Sequence, residues 1–256
     1  MAMRTTYILL FLLSIAIPVH TQVSNRSEQV IRYNEAGNLY RNGQFTEALT
    51  LYEELIQSGI KNSELYYNTS NSAYRAGHTG KAILYLERAL KLSPSDKDAH
   101  ANLAYLNSIK MDQEPENSNV LLTFAARRYN AININAAAIW SGLTFAMAMI
   151  CATAALFTKE WKRITTSSLA GVCLFVCIVS TGVLIQKLHY NATVVEAVIM
   201  SEEAEAYSGP GTENTHVFTI HTGTKVIIER GQYSWNLIRL KSGAGGWIQA
   251  DLMEII

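Results

Sequence analysis

The sequence predicts a multi-domain chain built from all-α helical repeats, a two-helix transmembrane hairpin and a small all-β barrel. Three observations carry this. Tyr33, Asn34, Tyr40, Arg41, Gly43, Ala48 and Glu53 recur 34 residues later as Tyr67, Asn68, Tyr74, Arg75, Gly77, Ala82 and Glu87, the period of a stacked helix-turn-helix unit. Two uncharged apolar stretches of spanning length lie between Ile132 and Leu188. Beyond Leu188 the hydrophobic period changes from helical to alternating, with Gly-rich turns between short runs.

Charge excludes one class of partner. The 256 residues carry 21 basic and 21 acidic side chains, so no overall field favours nucleic acid. The first segment runs from Arg4 through an apolar core at 7–17 to Pro18, with Val19 and Thr21 at the positions a signal peptidase reads before Gln22. Residues 1–21 are therefore expected to be a cleaved secretory signal peptide, since the run falls short of the ~20 residues a spanning helix needs. An uncleaved anchor is the alternative, and either one exports the adjoining repeat region.

Residues 28–110 hold two full repeats and the first helix of a third. Gly43 and Gly77 break the helix pairs, Ala48, Ala82 and Ala89 sit where helices cross, and Pro94 ends the second unit. The third helix, Asp98 to Ile109, keeps Asn102 one period beyond Asn68 and lacks a second helix to pair with. These positions resemble the tetratricopeptide repeat. The resemblance implies that the first helix of each unit lines a concave groove. Mapped on this chain, the groove carries Tyr33, Asn34 and Arg41, then Tyr67, Asn68, Asn71 and Arg75, then Asn102 and Tyr105. Asn side chains suit an extended peptide backbone, and Arg suits a carboxylate. The same residues also suit an asparagine ladder between helices with tyrosine wedges, and the sequence leaves both readings open. Chaperone-tail clamps of this family use lysines where this chain has Tyr33 and Tyr67, which argues against a terminal-carboxylate ligand.

Residues 111–130 are expected to form a linker, opening with the polar stretch Met111 to Asn119. The hairpin, 131–187, places spans at 134–157 and 164–185 with a loop at 158–163. Lys159, Lys162 and Arg163 assign that loop to the cytoplasm, with Trp161 at the interface, and Arg127 and Arg128 weaken the asymmetry without reversing it. Ala138, Gly142 and Ala146 in the first span and Cys173, Cys177 and Thr181 in the second are expected to pack face to face. All three cysteines lie in these spans. Cys173 and Cys177 lie four apart on one helix, a poor placement for a disulfide, so they read as packing residues.

Residues 196–256 read as five short strands, at 196–200, 217–220, 224–229, 235–240 and 246–249, separated by Gly-rich or polar turns. Ser208-Gly-Pro, Gly223-Thr-Lys-Val, Trp235-Asn-Leu-Ile-Arg and Gly246-Trp-Ile, in that order, resemble the bacterial SH3-like domain of envelope proteins. That resemblance implies a ligand face formed by Tyr207, Tyr233, Trp235 and Trp247, although Trp235 and Trp247 suit a barrel core better and Tyr207 is the better ligand candidate. Tyr207 stands where the family has a basic residue. His216 and His221 would face opposite sides of a strand and form no metal site.

The whole order of signal, repeats, hairpin and SH3-like module resembles the BatE family of bacterial aerotolerance operons. This implies a two-pass protein of the bacterial inner membrane with both soluble modules on the periplasmic side. It also implies von Willebrand A-domain membrane proteins as partners, beside an AAA-type ATPase. A non-catalytic scaffold is the expected function, and a murein-binding adaptor that recruits an envelope enzyme is the alternative. The sequence shows no nucleophile elbow, phosphate loop or metal-ligand spacing, so no enzyme, cofactor or metal is expected.

Overall fold

A computed structural model describes residues 26–113, 119–157 and 159–256. The segment 1–21, expected to be the signal peptide, lies outside the described residues. The repeats form α1 (26–41), α2 (Phe45–Gln57), α3 (Ser63–Arg75), α4 (Thr79–Leu92) and α5 (Lys97–Ile109). The 34-residue period extends to single hydrogen bonds. At the first turn Gln44 N–H bonds Leu39 C=O and Gly43 N–H bonds Tyr40 C=O. At the second His78 bonds Ala73 and Gly77 bonds Tyr74 in the same way. This double closure needs a left-handed residue, and Gly43 (φ 82°) and Gly77 (φ 88°) provide it. Asn62 and Asp96, again 34 apart, cap α3 and α5 by accepting two backbone N–H groups each.

The core follows the small residues. Ala36, Ala48, Ala73, Ala82 and Ala99 are completely buried, which lets helices approach while Leu49, Leu55, Leu65, Leu86 and Leu106 fill the space between them. Among the described residues no second repeat helix follows α5 to pack on α4, so one side of α4 would stand open.

The C-terminal module closes that side. It contains β1 (Val195–Ile199), β2 (Glu203–Tyr207), β3 (His216–His221), β4 (Lys225–Gln232), β5 (Trp235–Arg239), β6 (Gly245–Gln249) and β7 (Met253–Ile255). They make one antiparallel sheet in the order β3-β2-β6-β5-β4-β1-β7. The ladder is open, with β3 and β7 at its edges, where the sequence predicts a closed barrel. Strands β2 and β7 also go beyond the sequence expectation, because Glu-Ala-Glu-Ala is a poor strand former whose alternation buries only Ala204 and Ala206. Register breaks at Ala206/Tyr207 and Ile228/Arg230 bend the sheet.

Strand β1 is buried on both faces. Ala197 and Ile199 point into the sheet's own core, whereas Val198, fully buried, joins the cluster of Ile83, Leu84 and Leu86 from α4. Polar contacts frame this seam. Lys225 Nζ bridges Glu87 (2.9 Å) and Glu196 (3.1 Å), and Arg88 pairs with Glu254 at 3.0 Å. Lys91 Nζ donates to the Ile256 carbonyl at 3.0 Å. Asp112, just past α5, accepts from the His221 N–H (2.6 Å) and the Thr224 hydroxyl (2.7 Å) and meets His221 Nδ1 at 2.9 Å. Two glycines permit the approach. A Cβ on Gly80 would lie 2.5 Å from Thr222 Oγ1, and one on Gly223 (φ 82°) would lie 2.6 Å from Ile83 Cδ1.

Residues 111–130, expected to be a linker, include a helix, α6 (Val120–Asn130), capped by Asn119, which accepts from the N–H of Leu121 and Leu122. Helices α7 (Ile134–Phe157) and α8 (Glu160–Thr193) are long and apolar enough to cross a membrane. Helix α8 extends past the expected span at both ends and leads directly into β1. The Trp161 side chain lies outside the described residues. The expected packing face of α7 is corrected. Ala138, Gly142 and Ala146 are exposed, and the side turned to α8 holds Ala137, Ser141, Thr144, Ala148, Cys151 and Ala155. Those positions alternate spacings of four and three, the seam of a left-handed helix pair, whereas a strict every-fourth-residue stripe winds away from it. Cys173, Cys177 and Thr181 of α8 do turn inward, with Thr181 hydroxyl 2.6 Å from Ser141 hydroxyl.

Candidate functional site

The first helices of the three units, α1, α3 and α5, present one continuous face, and the predicted groove residues lie on it. They divide into two sets. The first set ties the helices together. Tyr33 hydroxyl donates to Glu64 Oε1 (2.8 Å) and accepts from Asn68 Nδ2 (2.6 Å). One unit later Asn102 Nδ2 donates to Tyr67 hydroxyl (3.2 Å) and to Asn71 Oδ1 (3.1 Å). The tyrosine-asparagine ladder therefore repeats with a 35-residue reach. Tyr33 also meets the Tyr52 ring edge-on at 5.7 Å. Burial first, and then the Glu64 carboxylate, raise the Tyr33 phenol pKa, so it stays protonated and donating.

The second set faces outward. Asn34, Arg41 and Arg75 are exposed or half-buried at the surface, and Asn71 is half-buried beside them. Arg41 donates to Asn38, and the Arg75 guanidinium lies 4.2 Å from the Phe45 ring centre, which fixes its direction while leaving N–H groups for a partner. Tyr105 meets Tyr74 with hydroxyls 3.1 Å apart and rings crossed at 86°; both are exposed. A cleft of about 280 Å³ opens between α1 and α3, walled by Tyr33, Asn34, Arg41, Asn68 and Asn71 and closed beneath by Tyr52. Tyr74 and Phe45 belong to this face as well, although the sequence does not single them out as groove residues. Tyr74, the repeat equivalent of Tyr40, is visible in the period itself.

The four aromatic residues predicted for the C-terminal module do not form one shelf. Trp247 is buried, 6% exposed, with Arg230 over its ring at 5.2 Å, so it belongs to the wall of the sheet. Tyr207 packs edge-on against Trp235 at 5.7 Å and against His216 at 6.1 Å. Its hydroxyl donates to Glu205, which raises its pKa. Tyr233 stands apart at the β4–β5 turn, 97% exposed and with a left-handed φ of 55°. His221 serves the contact with Asp112 described above. Among the described residues, no three His, Cys, Asp or Glu side chains are grouped to hold a metal ion.

Comparison with known proteins locates the repeat independently. The tetratricopeptide repeat family matches residues 33–97 and 67–107, two registers one period apart. No curated protein matches the chain. The helical part of the chain, from Tyr33 to Asn107, is thus similar to tetratricopeptide repeats, modules that mediate protein–protein interaction.

Proposed function

We propose that this chain is a non-catalytic scaffold of the bacterial envelope. Held in the inner membrane by α7 and α8, it grips a partner protein with the periplasmic face of α1, α3 and α5. The observation that carries this reading is the side on which the C-terminal module docks. The sheet packs on α4, the second helix of its unit, and leaves the first-helix face open with Asn34, Arg41 and Arg75 outward and Asn71 half-buried beside them. An extended segment with acidic side chains suits that face, because two arginines one period apart flank the asparagines. The resemblance in domain order supports a place in a Bat-type aerotolerance complex, with von Willebrand A-domain membrane proteins as the partners.

The test is affinity capture of the full-length protein from solubilised native membranes, comparing the wild type with an Arg41→Ala, Arg75→Ala double variant. These positions are preferred to Asn68, whose loss would also break the bond to Tyr33. The expected outcome is recovery of A-domain proteins by the wild type and loss of most of that recovery in the variant. Equal recovery would place the contact elsewhere. The exposed Tyr233 and the Tyr207–Trp235 pair favour one second reading, murein binding. Co-sedimentation of the chain with purified murein, lost on Tyr207→Ala and Tyr233→Ala substitution, would establish it.

A further inference from the structure

Helix α6 is turned the opposite way from a helix of a water-soluble protein. Leu121, Leu122 and Phe124 are 75, 55 and 56% exposed, whereas Thr123 is half-buried and bonds back to the Asn119 carbonyl at 3.0 Å. At 3.6 residues per turn these three apolar residues and Ala125 share one broad flank, and Thr123 falls opposite its centre. Its large apolar side chains therefore face out, and Thr123 on the opposite side is the more enclosed. In water that arrangement leaves three large side chains unburied, against a favourable transfer of roughly 25 cal/mol per Å² of apolar surface.

Three connections fix where this flank lies. Only residues 131–133 separate α6 from α7, a reach of at most ~10 Å. Asn133 caps α7 by accepting from the Asn135 N–H (2.8 Å), and its amide donates to the Leu92 carbonyl at the end of α4 (3.1 Å). Lys187 Nζ, near the end of α8 that leads into the sheet, lies 4.5 Å from the Tyr129 ring centre. The C-terminal end of α6 is thus held at the level where the hairpin meets the soluble modules. Its charged residues are Arg127 and Arg128, with no acidic residue among them. The Arg128 guanidinium sits 5.3 Å from the Phe124 ring, and seven residues from Leu121 its stem lies on the apolar flank, a position from which a long cationic side chain reaches headgroups while its stem stays in apolar surroundings.

We infer that α6 is an interfacial helix. Its Leu121, Leu122 and Phe124 lie in the acyl boundary of the leaflet facing the soluble modules, and Arg128 rests on anionic lipid headgroups. This rests on the reading that α7 and α8 span the membrane. Through the Asn133–Leu92 bond it also sets the height of the repeat groove above that surface.

The test uses full-length protein with its three cysteines replaced by alanine, reconstituted in phosphatidylglycerol/phosphatidylcholine vesicles. A single cysteine at 122, 123, 124, 150 or 57 carries an environment-sensitive nitrobenzoxadiazole label, and quenching by lipids brominated in the upper acyl chain is read. Brominated lipid is expected to remove at least about half of the emission at 122 and 124, as for a helix seated in the interface, and to leave 123 and 57 nearly unchanged. Exposed Ile150, within α7, reports the span itself. Quenching at 150 without quenching at 122 and 124 would overturn the inference while keeping the hairpin. So would blue-shifted but unquenched emission at 122 accompanied by cross-links between two copies, which would make a second chain the cover. No quenching at 150 would overturn the spanning reading and the inference together. Replacing phosphatidylglycerol by phosphatidylcholine is expected to reduce quenching at 124 by about half and leave 150 unchanged, since an anionic leaflet attracts basic side chains at its surface. Equal quenching in both lipids would remove the headgroup part of the proposal.

Discussion

At the residue scale, one repeat position does two different jobs. Glu53 accepts from Lys81 (2.7 Å) and Tyr85 (2.9 Å) of the next unit, whereas its equivalent Glu87 has no further helix and takes Lys225 of the sheet instead. Desolvation alone would depress the Lys225 pKa, but Glu87 and Glu196 outweigh it and raise it. Ladder residues such as Asn68 also wall the cleft, but they differ from the outward Asn34 in what they hold. Asn68→Ala should destabilise the protein by about 1 kcal/mol through the lost bond to Tyr33, and Asn34→Ala should change stability by less than about 0.5 kcal/mol. Chemical unfolding monitored by circular dichroism distinguishes the two. Asp112 gives a pH signature. Burial pushes its carboxyl up, but the His221 N–H, the His221 ring and the Thr224 hydroxyl together hold it below the usual carboxylate range. A group whose folded pKa is depressed adds stability above its unfolded pKa, about 3.9, and loses it as pH falls through the folded value. The melting-temperature gap between wild type and Asp112→Asn should therefore be full near neutrality and shrink in acid, and a gap independent of pH would contradict this.

At the element scale, the hairpin shows how a correct composition can carry a wrong face. Small residues are abundant in α7, and an every-fourth-residue stripe selects Ala138, Gly142 and Ala146. Packing against α8 selects the 3.5-residue seam through Ala137, Ser141, Ala148 and Cys151 instead. Two substitutions separate these faces. Gly142→Leu should be tolerated, because nothing lies within 4 Å of its position, and Ala148→Leu should force the helices apart. Detergent-induced unfolding in mixed micelles would show the difference. Thr181→Val should weaken the pair by ~0.6 kcal/mol, the average for a hydrogen bond between membrane helices. The alanine triple variant of the cysteines should fold normally, since each cysteine acts as a small apolar side chain here.

At the scale of the whole molecule, the sheet takes the place of the missing second helix of the third repeat. Two and a half tetratricopeptide units leave α4 uncovered, and about three units are needed to bury a continuous core. Val198, Met200 and Ile256 complete that core from the far end of the chain, so both chain ends of the hairpin are tied into one body. Gly80→Val should undock the sheet, since even a Cβ there approaches Thr222 Oγ1 and also lies 3.3 Å from the Ile199 carbonyl. Spin labels on the two modules should then report a broadened distance distribution, with the α1–α3 ladder intact. An unchanged distribution would show that the docking tolerates the added bulk.

The sequence by itself determined whatever repeats or alternates locally: the 34-residue period, the two glycine turns, the apolar spans and five of the seven strands. Each depends on backbone propensity and hydrophobic period within a short window. Which asparagines would bond to tyrosines and which would face outward was decided by tertiary structure, because both kinds occupy equivalent helix faces and differ only in what the next helix brings opposite. The docking of the sheet was faintly legible, in that Gly80 and Leu84 stand where the first unit has Thr46 and Thr50, a smaller and a more apolar residue on the covered side. Period alone could not reveal it, since the residues that meet across the seam, Glu87 with Lys225 and Asp112 with His221, are more than a hundred positions apart and belong to elements of different geometry. The open course of the sheet and the outward face of α6 were settled by the same long-range packing. Burial on both sides of β1, and the exposure of Leu121, Leu122 and Phe124 on α6, depend on how the modules lie against each other and against the hairpin.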